Sequence, residues 1–212
     1  MTRPDPPHVT DHLPISVRAY AEAGKARQWR GGLVPSSWTL VFDTETTTDP
    51  GQALRFGTYQ LRNGAELVEA GIFFDPDGVT ARELATIRRF AKRHGLELRR
   101  RDEFVDEVFF GRAYQLRARI VGFNLPFDIS RLAIKHGPAR GAMFGGFTFT
   151  LSKQRIWPHV RIKHLSRRSA LISFAAPMRQ RDGRGRRKRG MRTPIRRGAF
   201  VAVKDASGIS AM

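Results

Sequence analysis

Asp43 and Glu45 stand one residue apart at the end of the apolar run Trp38, Leu40, Val41, Phe42. On a β-strand, residues i and i+2 face the same side, so the two carboxylates project together. Two such groups repel and lose hydration at the end of a buried strand unless a cation lies between them. A hard divalent ion with oxygen ligands meets that need. The plainer alternative is a solvated strand end whose acids cap nearby backbone amides.

A second constellation is Asn124-Leu125-Pro126-Phe127-Asp128, which follows the apolar run Ile120-Val121-Gly122-Phe123. Asn at a helix N-cap, Pro in the first turn and Asp near the positive end of the helix dipole make a helix start. Capping and chemistry are compatible here, because a helix start holds a carboxylate rigidly.

The elements that must position these groups follow from hydrophobic pattern and turn chemistry. A strand at about 38–45 precedes a roughly alternating strand over 55–61. Asn63-Gly64 reads as a two-residue hairpin turn, and 65–74 as the returning strand, giving an antiparallel three-strand meander. Thr80 with Glu83 forms a capping box before a helix carrying Leu84, Ile87, Phe90 and Ala91 on one side, stopped near Gly95. A second helix is expected over 102–117, with Phe104, Val108 and Leu116 on one face and Phe109, Phe110 and Tyr114 unassigned. A third is expected from Ile129 to His136, ended by Gly137-Pro138. Beyond residue 140 the pattern becomes β-rich, with strands expected at 147–151, 160–166, 169–174 and 200–203. Strands followed by alternating helices and strands predict an α/β layered fold.

Composition supports a folded domain and points to a polyanionic partner. The 212 residues are 41% hydrophobic and include 15 Phe, enough for a real core. With no Cys, disulfides and thiolate metal sites are excluded. The net charge of +19 is unevenly placed. Residues 1–128 carry 18 Lys+Arg against 17 Asp+Glu, whereas 129–212 carry 20 against two, Asp182 and Asp205. The basic segment from Arg179 to Arg197 includes Arg184, Arg186, Arg187, Lys188 and Arg189, a candidate loop for gripping a nucleic acid backbone. No run approaches the ~18 apolar residues of a membrane span, and a cytoplasmic location is expected. His159 and His164 fall on different strand faces without acidic neighbours, which argues against zinc. Gly145-Gly146 lacks the Lys-Ser/Thr of a phosphate-binding loop.

Taken together, "VFDTET" and "IVGFNLPFD" resemble the first and second motifs of the DEDD (DnaQ-like) 3′–5′ exonuclease superfamily. The order strand–hairpin–helix–strand–helix between them, with 85 positions from Asp43 to Asp128, is also similar to that family, and the resemblance covers roughly residues 36–137. It implies a ribonuclease H-like layered fold with helices on the faces of a mixed sheet, joined to a basic, β-rich C-terminal portion. Residues 1–36 are expected to form a flexible leader. Residues 37–212 are expected to form a single, C-terminally incomplete domain with a basic loop at 178–198.

The activity implied is two-metal hydrolysis of phosphodiester bonds. Asp43, Glu45 and Asp128 would be the catalytic residues and the ligands of Mg²⁺ or Mn²⁺. Thr44, Asn124 and Phe127 would border the nucleic acid, probing single-stranded 3′ ends of DNA or RNA. Phe42, Phe123 and Phe127 are expected to pack mainly in the core. The chain departs from the family pattern after Asp128: neither Asp182 nor Asp205 follows a Tyr or His at the spacing of the third motif. The alternative to an exonuclease is therefore a nucleic acid-binding protein built on the same fold and catalytically inactive.

Overall fold

In the computed structural model, residues 36–166, 169–175 and 200–202 are described, the last three by backbone alone. Residues 1–35 of the expected leader and the basic segment with Arg184, Arg186, Arg187, Lys188 and Arg189 lie outside the described residues. What is described belongs to one compact unit, 34–203, with a mixed α/β architecture.

The meander forms where the turn chemistry puts it. Strands β1 (Trp38–Thr46), β2 (Leu54–Asn63) and β3 (Glu66–Phe74) pair antiparallel, and Gly64 supplies the left-handed φ of 60° that the hairpin turn requires. Helix α1 (Ala81–His94) begins with the Thr80/Glu83 capping box and ends at Gly95 in the left-handed conformation. It leads into β4 (Glu97–Arg100), a short strand parallel to β3 that the sequence pattern does not announce. On α1 only Ala91 is fully buried, and Phe90 is exposed, its ring lying against His94.

A short turn, α2 (Arg101–Glu103), then runs into a π-helix, Phe104–Tyr114. An α-helix was the expectation here. The π-helix is buried on most of its circumference: Phe104, Val105, Val108, Phe109, Phe110, Ala113 and Tyr114 are all in the interior. This settles Phe109, Phe110 and Tyr114 as core residues.

Strand β5 (Arg119–Gly122) pairs parallel with β1, and β10 (Phe200–Ala202) pairs parallel with β5. The first sheet is therefore ordered β10-β5-β1-β2-β3-β4. Helix α3 spans Leu125–Leu132, starting at the Asn124 motif itself. The expected helix 129–136 is thus displaced: His136 lies in strand β6 (Lys135–Pro138), not at a helix end. A second, antiparallel sheet follows in the order β6-β7-β8-β9, with β7 at Phe147–Thr150, β8 at Val160–Ser166 and β9 at Ser169–Phe174.

One core joins these layers. Phe42 of β1 and Phe73 of β3 meet Phe104, with a stacked Phe73–Phe104 pair at 4.1 Å between ring centroids. On the other side of the π-helix, Phe110 stacks on Trp157 at 5.2 Å and lies near Phe174 of β9. The π-helix is sandwiched between the two sheets, which is why its apolar residues do not keep to one face. Each buried aromatic ring there contributes roughly 2–3 kcal/mol by leaving water.

Candidate metal centre

Strand alternation divides the first motif between two faces of the sheet. Leu40, Phe42 and Thr44 point inward, whereas Asp43 and Glu45 are exposed on the opposite face. The expectation that Asp43 and Glu45 share a side is met. A bulge between Glu45 and Thr46 ends the regular pairing with β2 just past them.

Asp128 comes to this strand end from α3. The parallel pairing of β5 with β1 (Leu40 beside Ile120, Val41 beside Val121) aligns the two strands' C-terminal ends. The chain turns into α3 immediately after β5, so Asp128 in its first turn lies beside β1. Crevices outside the carboxyl ends of parallel strands are where α/β sheets bind ligands.

The Asp128 carboxyl is 1% exposed. Its Oδ1 accepts a 2.7 Å hydrogen bond from the Thr44 hydroxyl, while its Oδ2 is buried without a hydrogen-bond partner among the described residues. Burial pushes its pKa from 3.8 up to about 6; the Thr44 hydroxyl bond and the nearby backbone N–H groups of Thr44 and Asn124 work against that, and the Asp43 charge adds to it. A raised pKa from desolvation and a neighbouring carboxylate is a recurrent property of functional sites.

The other predicted residues are placed as follows. Thr44, expected to border nucleic acid, is buried and engaged with Asp128. Asn124 occupies the N-cap position with an exposed side chain, but it makes no side-chain cap; its backbone carbonyl accepts from the N–H groups of Phe127 and Asp128 instead. Phe127 is half-buried with the Arg131 guanidinium 4.8 Å from its ring centre. Arg131 also donates to the carbonyls of Gly51 and Gln52, tying α3 to the β1–β2 loop. Phe42 is in the core as expected. Phe123 is not: it is 66% exposed. It follows the strand β5, in which Val121 shares the face of Val41, so alternation puts it on the face of Asp43 and Glu45. A conspicuous apolar residue between a strand end and a helix start was the one signal for it.

Asp43 and Asp128 are close enough for their charges to interact, and every donor here is oxygen. Among the described residues, no three or more His, Asp or Glu side chains are grouped to hold a metal ion. No protein-family model, no curated protein and no solved structure matches this chain. No helix among the described residues is long and apolar enough to cross a membrane.

Proposed function

We propose that the chain is a metal-dependent, exonuclease-like protein of the ribonuclease H-like fold that hydrolyses phosphodiester bonds at single-stranded nucleic acid 3′ ends. The observation that carries this reading is the unpartnered, buried Oδ2 of Asp128 at the strand end that also bears Asp43. A buried carboxylate oxygen with no donor costs several kcal/mol when ionised, which a cation offsets. Carboxylate oxygens are the donor type that Mg²⁺ and Mn²⁺ take; Asp43 and Asp128 would be the first holders, with Glu45 next to Asp43 in the chain on the open face. When bound, such an ion would neutralise phosphate charge and lower the pKa of an attacking water.

The protein's own residues do the rest. Thr44 fixes the Asp128 carboxyl, and the β5–α3 junction keeps it at the strand end that bears Asp43. The exposed Asp43 and Glu45 face solvent, where a chain end has access. The order meander, helix, parallel strand, helix supports the fold reading.

A second reading, binding without cleavage, has one observation in its favour: Asp43 and Glu45 lie on the face opposite Thr44, the partner of Asp128. A 5′-labelled single-stranded oligonucleotide incubated with Mn²⁺ separates the two. A ladder shortening from the 3′ end, abolished in both Asp43→Ala and Asp128→Asn, supports hydrolysis. An intact oligonucleotide that remains bound moves the protein to the second reading.

A further inference from the structure

The two sheets differ in whether any of their cations meets a carboxylate. In the first sheet and its helices, some arginines are ion-paired (Arg55 with Glu83, Arg99 with Glu69 and Glu107, Arg100 with Asp102, Arg101 with Asp75, Arg112 with Glu69), while others, such as Arg88, Arg89 and Arg93 on α1, are in no ion pair among the described residues. The Glu69 carboxylate also accepts from the Tyr59 hydroxyl, so this network is largely satisfied. From residue 129 to 181 the sequence contains no Asp or Glu at all. No ion pair involves the second sheet among the described residues.

That sheet has one covered face and one open face. Val160, Ile162 and Phe174 are buried, with Phe149 and Ile172 packed beside them. The cross-strand register then assigns the other face: Thr148 lies opposite Arg161, Arg161 opposite Ser173, Lys163 opposite Leu171, and Lys135 opposite Thr150. Hydroxyls and cations thus neighbour one another on this face, interrupted by Gly137 and the exposed Leu171, with no carboxylate among them. Gly146 runs against the backbone of Ile162 and Lys163 so closely that a Cβ there would meet the Ile162 carbonyl oxygen at 2.3 Å, which keeps this edge low. One aromatic ring stands at the rim, that of Phe144 just before β7, at 77% exposure; Phe147, opposite Ile162, belongs to the covered face.

Uncompensated like charges on a rigid surface repel one another, and a polyanion relieves that repulsion with release of its counterions. Ser and Thr hydroxyls with Arg and Lys are the side chains that contact phosphate and sugar, and exposed aromatics stack on unpaired bases. We infer that the open face of the second sheet is a sequence-independent docking surface for single-stranded nucleic acid, with Lys135, Arg161 and Lys163 on phosphates and Phe144 at its stacking edge. The inference rests on the nucleic acid half of the proposed function and is independent of cleavage.

The test is fluorescence anisotropy of a labelled single-stranded oligonucleotide with the full chain in EDTA, so that hydrolysis plays no part. The variant Lys135→Gln/Arg161→Gln/Lys163→Gln is compared with Arg88→Gln/Arg89→Gln/Arg93→Gln on α1, which removes as many charges. The sheet variant is expected to bind about tenfold or more weaker, its salt dependence flattened by about two, because each lost phosphate contact removes ~0.7 from the logarithmic slope. The helix variant should stay within about twofold. Lys135→Arg/Lys163→Arg should bind like the unmodified chain, and circular dichroism establishes that each variant is folded. Equal losses in the two triple variants, or none in the sheet variant, overturn the inference in favour of diffuse attraction or the basic segment 178–198. Equally tight binding of polyglutamate also overturns it, since the surface would then read charge alone. Loss of cleavage in Asp43→Ala with binding intact would leave the surface standing, whereas binding lost only in the sheet variant would leave the carboxylates untouched.

Discussion

The Thr44 hydroxyl and the Asp128 carboxyl, 84 positions apart in sequence, are joined by a 2.7 Å hydrogen bond in the interior. This bond fixes the helix that follows β5 to the strand that carries Asp43 and Glu45. It also opposes the desolvation of Asp128, so it tunes the site as well as holding it.

Replacing Thr44 with Val keeps the shape and removes the donor. Stability measured by urea unfolding is expected to fall by about 1–2 kcal/mol, the cost of leaving a buried acceptor without its partner. The Asp128 pKa, followed by carboxyl NMR, should rise further above 6. A pKa unchanged or lowered would show that the bond does not stabilise the ionised form.

The Asp128 pKa makes metal-free stability depend on pH. The folded protein keeps the Asp128 proton up to about pH 6, while the unfolded chain releases it near 3.8. Between those values the unfolded state holds fewer protons, so this group lowers stability as pH rises, by about 3 kcal/mol across the window. Asp128→Asn should remove that contribution and unfold at higher urea than the unmodified chain at pH 7.5 in EDTA, with little difference near pH 4. Equal midpoints at both pH values would contradict the assignment.

Mn²⁺ should act in the opposite sense. Because the ion needs the ionised carboxylate, thermal stabilisation by Mn²⁺ is expected at pH 7.5, weak at pH 5 and absent in Asp43→Ala. An identical shift in the variant would place the ion elsewhere.

Gly57 lies opposite Thr44 in the β1–β2 pairing. A Cβ on it would meet the Phe73 ring at 2.2 Å and the Asp43 carbonyl oxygen at 2.4 Å. Gly57→Ala is therefore expected to destabilise by about 1–3 kcal/mol through overpacking and to move the strand bearing both exposed carboxylates. Chemical shifts displaced along 42–46 would bear this out; displacement confined to β3 would mean that the Phe73 ring alone yields.

Phe104→Ala removes the ring that Phe42, Tyr59 and Phe73 share. A loss of about 3–5 kcal/mol is expected in denaturant unfolding. A loss under 1 kcal/mol would mean the π-helix does not anchor the first sheet.

The local signals in the sequence were good where a few adjacent residues decide the outcome. Asn63-Gly64 made the hairpin, Thr80 with Glu83 capped α1, and Gly95 stopped it. The common side of Asp43 and Glu45 followed from alternation alone. Features set by long-range packing were not legible. The π-helix is enclosed by two sheets, so its apolar residues follow no single helical face. Strands β4 and β6 are four residues each and carry charged or turn-forming residues that their neighbours override. The approach of Asp128 on the Thr44 side depends on where α3 docks, and no spacing within either motif encodes that. Phe123 reads as core by type, yet alternation along β5 turns it outward.

Strand β10 is only three residues long, but it occupies the edge of the first sheet beside β5. Without it, the backbone groups of Ile120, Val121 and Gly122 would present an open template to a second molecule, next to the strand that ends at the carboxylates. Residues 200–202 thus cover that template with an edge only three residues long. A chain cut before Phe200 is expected to pair with itself through the very strand that leads into Asp128, so that association and loss of the site would go together.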